Sequence, residues 1–251
     1  MTKPKITIIT AGYNSAATIR DTLQCIASQT YSNIEHIIID GASKDDTLKI
    51  VSEFPHVAKI VSESDQGIYD AMNKGIQLAT GDIIGILNSD DFYSNNRTLK
   101  IVAETFLEND VKSCYADLQY VDEKDTSRVI RNWKSGDFKR TNFLRGWMPP
   151  HPTFFVKKEL YKKYGCFDLE LNSAADYELM LRFLYKNKVS TKYIPIVLVK
   201  MRTGGQSNAS IKNRLRANQE DKLAWKKNGL QSKFYTTILK PIRKIKQYFN
   251  T

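Results

Sequence analysis

Apolar, β-branched runs alternate with helical patterns along the first part of the chain, and this alternation limits the folds that it can adopt. The runs are Ile6–Thr10, His36–Asp40, Ala58–Ser62 and Asp82–Leu87. Helical patterns follow the first three runs, from Ile19, over Thr47–Phe54 and over Ile68–Ala79. Strands that are apolar on both faces and alternate with helices predict a mostly parallel sheet flanked by helices. We therefore predict an α/β fold whose residues 1–110 form a nucleotide-binding type of half-domain.

The pattern loosens after residue 110. Strand formers are frequent over Val111–Val121 and again over Tyr193–Val199, where we expect a last strand. Helices are expected over Lys157–Tyr164 and Ala175–Leu184, and three prolines around His151 predict an extended segment. We expect residues 111–211 to complete a single domain, and residues 212–251 to form a basic helical C-terminal extension.

The positive charge belongs to that extension. The formal net charge is +11, and residues 212–251 carry +9 of it. The body is therefore close to neutral, which weakens any interpretation of the whole chain as a nucleic-acid-binding protein. Three scattered cysteines predict no zinc site and are typical of reduced thiols in a cytosolic protein. We also find no signal-peptide core and no apolar run long enough for a transmembrane helix.

The extension has apolar residues at roughly helical spacing over 234–249, interleaved with Lys and Arg. Such a helix suits peripheral association with an anionic membrane surface. It equally suits a helix that packs on the body and leaves its basic face in solvent. Pro241 is expected to break or kink it.

Two short acidic stretches carry the chemistry. The first, Asn88-Ser89-Asp90-Asp91, directly follows the fourth apolar run, and the second contains Asp176 at the start of a helical pattern. Paired carboxylates at the exit of a buried strand are costly unless a cation or hydrogen bonds compensate their charge. Open α/β sheets also bind ligands at the carboxyl ends of strands. GxGxxG and GxxxxGK[ST] motifs are absent from the sequence, so metal-assisted chemistry on a phosphate-bearing substrate is indicated.

Five spaced motifs now carry a family resemblance. They are Ile8–Asn14, Asp40, Ser64–Gly75, Leu87–Asp91 and, downstream, Asp176. Together they resemble the family 2 glycosyltransferases, inverting enzymes of the Rossmann-like GT-A fold that build bacterial polysaccharides. The resemblance covers roughly residues 5–207 and is nearest to colanic-acid and O-antigen type transferases. It implies a nucleotide-sugar donor, most simply a UDP-sugar, and a glycan or polyprenyl-diphosphate-linked acceptor bound by residues 111–211. It also implies a cytoplasmic protein, at the inner face of the cell membrane if the extension binds lipid.

The resemblance also implies roles for individual residues. The donor nucleotide would be bordered by Thr10, Tyr13, Asn14, Asp40, Asp65 and Asp90, with Tyr13 against the base. Asp90 and Asp91 would form the DXD-type element that holds Mn²⁺ or Mg²⁺, and we favour Asp91 as the ligand. Many relatives have Asp where this chain has Asn88, which leaves the division between Asp90 and Asp91 open. Asp176 would be the catalytic base, while His151 and Arg202 are candidate contacts for the diphosphate or the acceptor.

Each of these assignments has a purely structural alternative. Aspartates often cap helices or occupy turns, which applies to Asp40, Asp65, Asp90, Asp91 and Asp176. His151 suits a structural histidine in a proline-rich turn, Arg202 suits solvated surface beside two glycines, and Tyr13 suits core packing. Two other functions also remain as alternatives: a nucleotidyltransferase on a similar sheet and a nucleic-acid-binding protein that uses the basic tail.

Overall fold

The structure is a computed structural model that describes residues 3–204, 211–236 and 239. In these ranges the strands are Ile6–Gly12 (β1), Ile34–Asp40 (β2), Val57–Ser62 (β3), Ile83–Ile86 (β4), Phe92–Tyr93 (β5), Ser113–Val121 (β6), Val129–Trp133 (β7), Phe155–Lys157 (β8) and Thr191–Arg202 (β9). The α-helices are Ile19–Ala27 (α1), Thr47–Ser52 (α2), Ile68–Leu78 (α3), Thr98–Glu108 (α4), Lys158–Tyr164 (α5), Ala175–Met180 (α6) and Ile211–Lys227 (α7). Arg140–Arg145 and His151–Thr153 are 3₁₀-helical, and Leu181–Lys186 is a π-helical continuation of α6.

One sheet contains the described strands, in the order β3-β2-β1-β4-β8-β6-β9-β5, with β7 paired to β6. The first half is parallel, as the sequence predicts: β1 pairs with β2 and β4, and β2 pairs with β3. In this register Gly12 lies opposite Asp40 and Ile9 lies opposite Ile86. The carboxyl ends of β1, β2 and β4 therefore meet at one edge of the sheet, and the loops that leave them are neighbours.

The second half is mixed. β8 is antiparallel to both β4 and β6, β9 is parallel to β6, and β5 is antiparallel to β9. β8 falls directly after the proline-rich segment, where the sequence predicted an extended chain but no sheet pairing. β9 runs from Thr191 to Arg202 and is longer than the predicted Tyr193–Val199. The α/β fold class is confirmed, with antiparallel pairs added in the second half of the sheet.

Two buried clusters cover the two faces of the sheet. One contains Ile9, Ile37 and the buried face of α3, and extends to α6 and Trp225 of α7. The other contains Ile6, Ile8 and the buried face of α4. Helix α3 approaches β1 closely at Gly75, where a Cβ atom would lie 2.3 Å from Cγ2 of Ile9. Burial of both sheet faces explains why the strands have no polar alternation.

The C-terminal extension is described only in part. Its first segment is helix α7, whose Ala224 and Trp225 are buried against the body. The segment 234–249, for which membrane association is predicted, lies mostly outside the described residues; within it, Phe234 is 85% exposed. Each helix in the described ranges is too short or too polar to cross a bilayer.

Candidate active site

The loop after β1 is tied to the loop after β2. The backbone N–H of Asn14 donates to Oγ of Ser43 at 2.8 Å, and Oδ1 of Asn14 accepts from the backbone N–H of Lys44 at 2.9 Å. Asn14 adopts a φ of 48°, a left-handed conformation that Asn tolerates better than most residues. Its neighbour Tyr13 is 59% exposed, so the core-packing alternative for this ring is wrong.

Asp40 fixes the second loop from inside. The residue is 1% exposed, and Oδ2 accepts from the backbone N–H of Ser43 at 2.9 Å and from Oγ of Ser62 at 2.6 Å. Oδ1 accepts from Oγ of Ser43. These three bonds use most of the acceptor capacity of one carboxylate. The structure therefore places Asp40 under the expected nucleotide pocket, where its described contacts are with the protein itself.

Tyr13, Gly41 and Asp65 form a cradle at the same edge. A Cβ atom on Gly41 would lie 2.8 Å from Oδ2 of Asp65 and 3.5 Å from Cβ of Tyr13. The other oxygen of Asp65, Oδ1, accepts from the backbone N–H of Gly67 at 2.8 Å. An exposed aromatic ring and a half-buried carboxylate thus flank a position that only glycine leaves open. An aromatic ring beside a few placed polar groups is the arrangement typical of a small-molecule pocket.

Thr10 is placed differently from its expected position beside the nucleotide. Its side chain is fully buried, and Oγ1 lies 3.0 Å from Nε2 of His36 on β2. Nδ1 of His36 in turn lies 3.1 Å from Nε2 of His56. The hydroxyl of Thr10 therefore points into the fold and away from the pocket that Tyr13 and Asp65 line.

The acidic turn after β4 contains a buried carboxyl group without a hydrogen-bond partner among the described residues. Asp91 is 0% exposed, and neither of its carboxylate oxygens has a hydrogen-bond partner in the described part of the chain. Oδ1 of Asn88, one turn earlier, is buried and unpartnered in the same way. Burial raises the pKa of Asp91 well above its ordinary value, with a further contribution from the charge of Asp90, while the nearby backbone N–H of Arg202 and the positive charge of its side chain oppose this shift. Burial also raises the pKa of Asp90.

The backbone of this turn is clamped from two sides. Arg202, the last residue of β9, donates from Nη1 to the carbonyl of Asp90 at 2.6 Å and pairs through Nη2 with Asp21 of α1. Oγ1 of Thr22 donates to the carbonyl of Asp91 at 2.7 Å. Arg202 is buried, and its guanidinium lies 5.0 Å from the ring centre of Phe92. The alternative in which Arg202 lies on solvated surface is therefore wrong, because β9 extends to include it and its side chain is buried.

The residues of the turn fit a hard divalent cation. Among the described residues, no three His, Cys, Asp or Glu side chains converge as a ready-made metal site. Mg²⁺ and Mn²⁺ in nucleotide sites are commonly held by one or two carboxylates together with substrate phosphates. The two orphaned oxygens of Asp91 are the donors that such an ion requires, and Asp90 stands beside them.

Asp176 lies in the first turn of α6 within a group of aromatic side chains. Its Oδ1 accepts from the backbone N–H of Tyr177 at 2.8 Å and from the hydroxyl of Tyr69 at 3.4 Å. The ring of Tyr69 stacks on Phe167 at 5.4 Å, and the ring of His151 meets the same Phe167 edge-on at 5.5 Å. The structure thus brings His151 and Asp176 together, although they are far apart in the sequence.

The electrostatics of this group agree with its geometry. Burial lowers the pKa of His151, and the negative charge of Asp176 opposes that shift. Burial and Asp176 raise the pKa of Tyr69 well above its ordinary value. No role for Tyr69 was predicted from the sequence. The residue lies inside the Ser64–Gly75 motif, and that position is the sequence feature that could have marked it as part of the site. No hydrogen bond among the described residues joins Asp176 to Asp90 or Asp91.

This fold and strand-edge site define a glycosyltransferase when they are compared with known proteins. Residues 7–165 match the model of the family described as "Glycosyl transferase family 2". The chain belongs to that family. The confirmed resemblance covers the sheet edge with Tyr13, Asp40 and Asp90, whereas Asp176 and Arg202 lie beyond the matched segment.

Curated relatives and solved structures agree with this family. A "PGL/p-HBAD biosynthesis glycosyltransferase" of Mycobacterium tuberculosis is 32% identical over 216 residues, which is 84% of this chain and 82% of the relative. An uncharacterized glycosyltransferase of the same organism is 34% identical over 71% of this chain and 68% of its own length. The structure of S. aureus TarS in complex with UDP has a TM-score of 0.69 and 20% identity, over 88% of this chain and 65% of that chain. The mannosyltransferase PcManGT from Pyrobaculum calidifontis, in complex with GDP-Man and Mn²⁺, has a TM-score of 0.64 and 22% identity, over 99% and 70%. The two structures support the GT-A type of fold.

Proposed function

We propose that this glycosyltransferase moves a sugar from a UDP-sugar to a hydroxyl of a glycan or polyprenyl-diphosphate-linked acceptor, with inversion at the anomeric carbon. The reaction would serve bacterial surface polysaccharide synthesis. Support for the donor comes from structural neighbours that bind UDP, UDP-GlcNAc and GDP-Man. One of those neighbours, PcManGT, also binds Mn²⁺.

One observation carries the proposal: the fully buried carboxylate of Asp91 has no hydrogen-bond partner among the described residues. A buried polar group without a partner costs about 1–3 kcal/mol, and more when it is charged. A protein retains such a group where a ligand completes it, and the position at the carboxyl end of β4 is where open α/β sheets bind ligands. Asp91 with Asp90 would hold the ion, and Mn²⁺ or Mg²⁺ bound there supplies positive charge against the leaving diphosphate.

The donor pocket would use the cradle at the ends of β1 and β2. Tyr13 offers an exposed ring for the base, and Asp65 offers a carboxylate oxygen for the ribose or base. Asp40 and Asn14 hold the two loops in register through Ser43. Thr10 would act through the backbone of β1, since its hydroxyl is buried against His36.

Asp176 would act as the general base. The acceptor O–H bond breaks as its oxygen attacks the anomeric carbon, the proton moves to a carboxylate oxygen of Asp176, and the bond to the diphosphate oxygen breaks. The reaction is a single displacement and inverts the anomeric centre. The hydroxyl of Tyr69 helps to orient Asp176, while His151 and Phe167 line the approach.

The location of this activity is also a proposal. We place the enzyme in the cytoplasm, at the inner face of the membrane, with residues 234–249 in peripheral contact with anionic lipid. The exposed ring of Phe234 and the basic residues beyond it support this position. A lipid-linked acceptor would then be presented in the same plane.

Calorimetry of UDP binding with and without Mn²⁺ tests the metal and the donor together. We expect Mn²⁺ to tighten UDP binding, and Asp91→Asn to remove that gain because an amide cannot replace the carboxylate charge. Asp110→Asn, an exposed carboxylate before β6, is the matched control and should behave as wild type. Equal UDP binding with and without Mn²⁺, or tighter binding of DNA than of UDP, would overturn the proposal.

The role of Asp176 has a separate readout. Asp176→Asn should lower turnover of a UDP-sugar by about 10²–10⁴-fold, the range typical of a lost general base. The affinity for UDP should stay close to that of wild type, because Asp176 is assigned to the acceptor side. Unchanged turnover in this variant would assign the base to another residue.

A further inference from the structure

Helix α7 is packed against the segment that contains Asp176. Ala224 and Trp225 are 0% and 1% exposed, and both belong to the same buried cluster as Tyr177 and Leu179 of α6. The family match ends at residue 165, so α6 and α7 both lie beyond it. The docking of α7 is therefore a feature that the matched family segment does not cover.

Three hydrogen bonds join α7 and the residue that follows it to positions on both sides of Asp176. Oε2 of Glu220 accepts from the backbone N–H of Ser173 at 2.7 Å. Nε1 of Trp225 donates to the hydroxyl of Tyr177 at 2.9 Å, and Nδ2 of Asn228 donates to Oε1 of Glu178 at 2.9 Å. The residues held at 173, 177 and 178 surround Asp176 on the chain. Glu220, Trp225 and Asn228 are spread over positions 220–228, so residues 173–178 are held at several points.

The bond to Glu178 joins a buried ionic network. Glu178 is buried, and its oxygens accept from Nε and Nη2 of Arg182 at 2.9 and 2.8 Å. Arg182 also donates to the carbonyls of Gly165 and Cys166, which lead into the loop before Phe167. A buried ion pair stabilises a fold only when the remaining hydrogen-bonding groups of both side chains also have partners. Asn228 satisfies an oxygen of that pair, so α7 also stabilises the loop that presents the aromatic group beside Asp176.

Asp176 itself has few other restraints. Its described hydrogen bonds are the one from Tyr177 N–H, within its own helix turn, and the longer one from Tyr69. Helix α6 is a single short α-helical segment, Ala175–Met180, that passes into a π-helical turn. A helix of this length is marginal without tertiary packing. The direction of the Asp176 carboxylate therefore depends on what holds residues 173–178.

We propose that Glu220, Trp225 and Asn228 are positioning residues, which hold the segment 173–178 so that the carboxylate of Asp176 stays aligned with the acceptor. The proposal rests on the proposed function, in which Asp176 is the base. Misplacing a reacting group by about 1 Å can lower a rate by about 10²-fold. Donor binding at the sheet edge does not use these contacts, so the effect belongs to turnover and leaves UDP affinity unchanged.

Hydrogen exchange tests the positioning role without any substrate. Trp225→Phe keeps an aromatic ring but loses the donor to Tyr177, and Glu220→Ala removes the acceptor for Ser173. Both should speed amide exchange over 173–178 and leave exchange in β2 unchanged. Glu220→Gln, which keeps an acceptor oxygen, should restore slow exchange, and Leu223→Ala, on the exposed face of α7, should have no effect. Unchanged exchange over 173–178 in both Trp225→Phe and Glu220→Ala would overturn the inference.

A double-mutant cycle connects the positioning to the chemistry. UDP release from UDP-N-acetylglucosamine, UDP-glucose and UDP-galactose is measured with water as acceptor, together with UDP affinity. With the donor that wild type hydrolyses, Trp225→Phe should lower kcat about tenfold or more at unchanged UDP affinity, and should have no further effect in Asp176→Asn. An equal additional loss in the Asp176→Asn background would mean that Trp225 acts on something other than the base, and would overturn the inference.

The same measurement separates the assignment of Asp176 as the base from the positioning role of Glu220, Trp225 and Asn228. Full activity of Asp176→Asn would refute the base assignment in the proposed function. An inactive Asp176→Asn together with fully active Trp225→Phe and Glu220→Ala would leave the proposed function intact and refute only the positioning role.

Discussion

Two buried carboxylates at the same edge of the sheet have opposite environments. Asp40 accepts three hydrogen bonds from Ser43 and Ser62, whereas Asp91 has no partner within the described chain. Burying a charge without compensation is so costly that the group is either neutral or completed by a ligand. The contrast separates a residue that holds the pocket together from one that is available to an ion. Residue type and strand position alone would have treated the two aspartates as equals.

His36 provides a prediction on acid stability. The side chain is fully buried between Thr10 and His56, and burial lowers its pKa from an ordinary 6.5 to about 3. Between these pH values His36 binds a proton in the unfolded chain but not in the folded chain, so the free energy of unfolding decreases as the pH falls below 6.5. From pH 6.5 to pH 5 this linkage amounts to about 2 kcal/mol. When the pH falls from 6.5 to 5, the free energy of unfolding of His36→Gln, measured with denaturant, should decrease by about 2 kcal/mol less than that of wild type.

The matched control is His56→Gln. His56 is half-buried and burial lowers its pKa as well, so its contribution should have the same sign and a smaller size. Identical pH dependence in wild type and His36→Gln would show that His36 becomes protonated in the folded protein, contrary to its burial.

The sequence predicted which residues meet at the sheet edge better than it predicted what each side chain does. Tyr13, Asp65, Asp90 and Asp91 were expected at the ends of β1, β3 and β4, and the parallel register brings those ends together. Thr10 could not be placed because the face of the sheet that a strand residue points to depends on packing. Arg202 could not be placed because the end of β9 also depends on packing. Tyr69 was missed since its partner Asp176 is more than a hundred residues away along the chain.

The close packing of helix α3 on strand β1 depends on the absence of a side chain at Gly75. Gly75 lies in the second half of α3, where Ala would favour the helix by about 1 kcal/mol. The Cβ atom would, however, lie 2.3 Å from Cγ2 and 3.2 Å from Cγ1 of the fully buried Ile9. Overpacking of this kind costs about 1–3 kcal/mol, so the close approach outweighs the propensity.

We therefore expect Gly75→Ala to lower the free energy of unfolding, measured with denaturant, by up to about 2 kcal/mol, which is the overpacking cost less the gain in helix propensity. Gln77→Ala, on the exposed side of the same helix, tests propensity alone and should change stability by less than about 0.5 kcal/mol. A stabilised Gly75→Ala variant would mean that α3 can move away from β1 freely.

At the level of elements, the parallel half of the fold was predictable and the mixed half was not. β1 to β4 are continuous apolar runs joined by amphipathic helices, which leaves few alternative topologies. β8 and the full extent of β9 escaped prediction, because they pair with strands that are distant in the sequence. β7 escaped prediction because it is short and partly polar. The helix expected over Ala175–Leu184 was nearly right in extent, but its second half is π-helical.

The charge of the whole molecule is concentrated at its C-terminal end. Residues 212–251 carry +9 of the net +11, and within the described ranges Phe234 projects a large ring into solvent. Basic residues near an anionic bilayer contribute about 1 kcal/mol each. The extension therefore has the composition of a surface anchor, while its first helix is docked on the body through Trp225.

Flotation with vesicles tests this arrangement. The full chain should float with vesicles that contain phosphatidylserine and should remain in solution with phosphatidylcholine alone, since the attraction is electrostatic. A chain ending at residue 233 should lose flotation and keep UDP affinity, because the donor pocket lies on the sheet edge. Flotation that survives this truncation, or that is insensitive to salt, would exclude the extension as the anchor.

The clamp on the acidic turn has a consequence for the order in which the protein is made. Arg202 closes on the carbonyl of Asp90 from the end of the last strand, and Asn228 reaches Glu178 from still further along. A nascent polypeptide leaving the ribosome has Asp90 and Asp91 outside before Arg202 or Asn228 has been translated. A product that stops before Arg202 therefore leaves the acidic turn unclamped, and one that stops between Arg202 and Asn228 leaves Glu178 without its contact to Asn228.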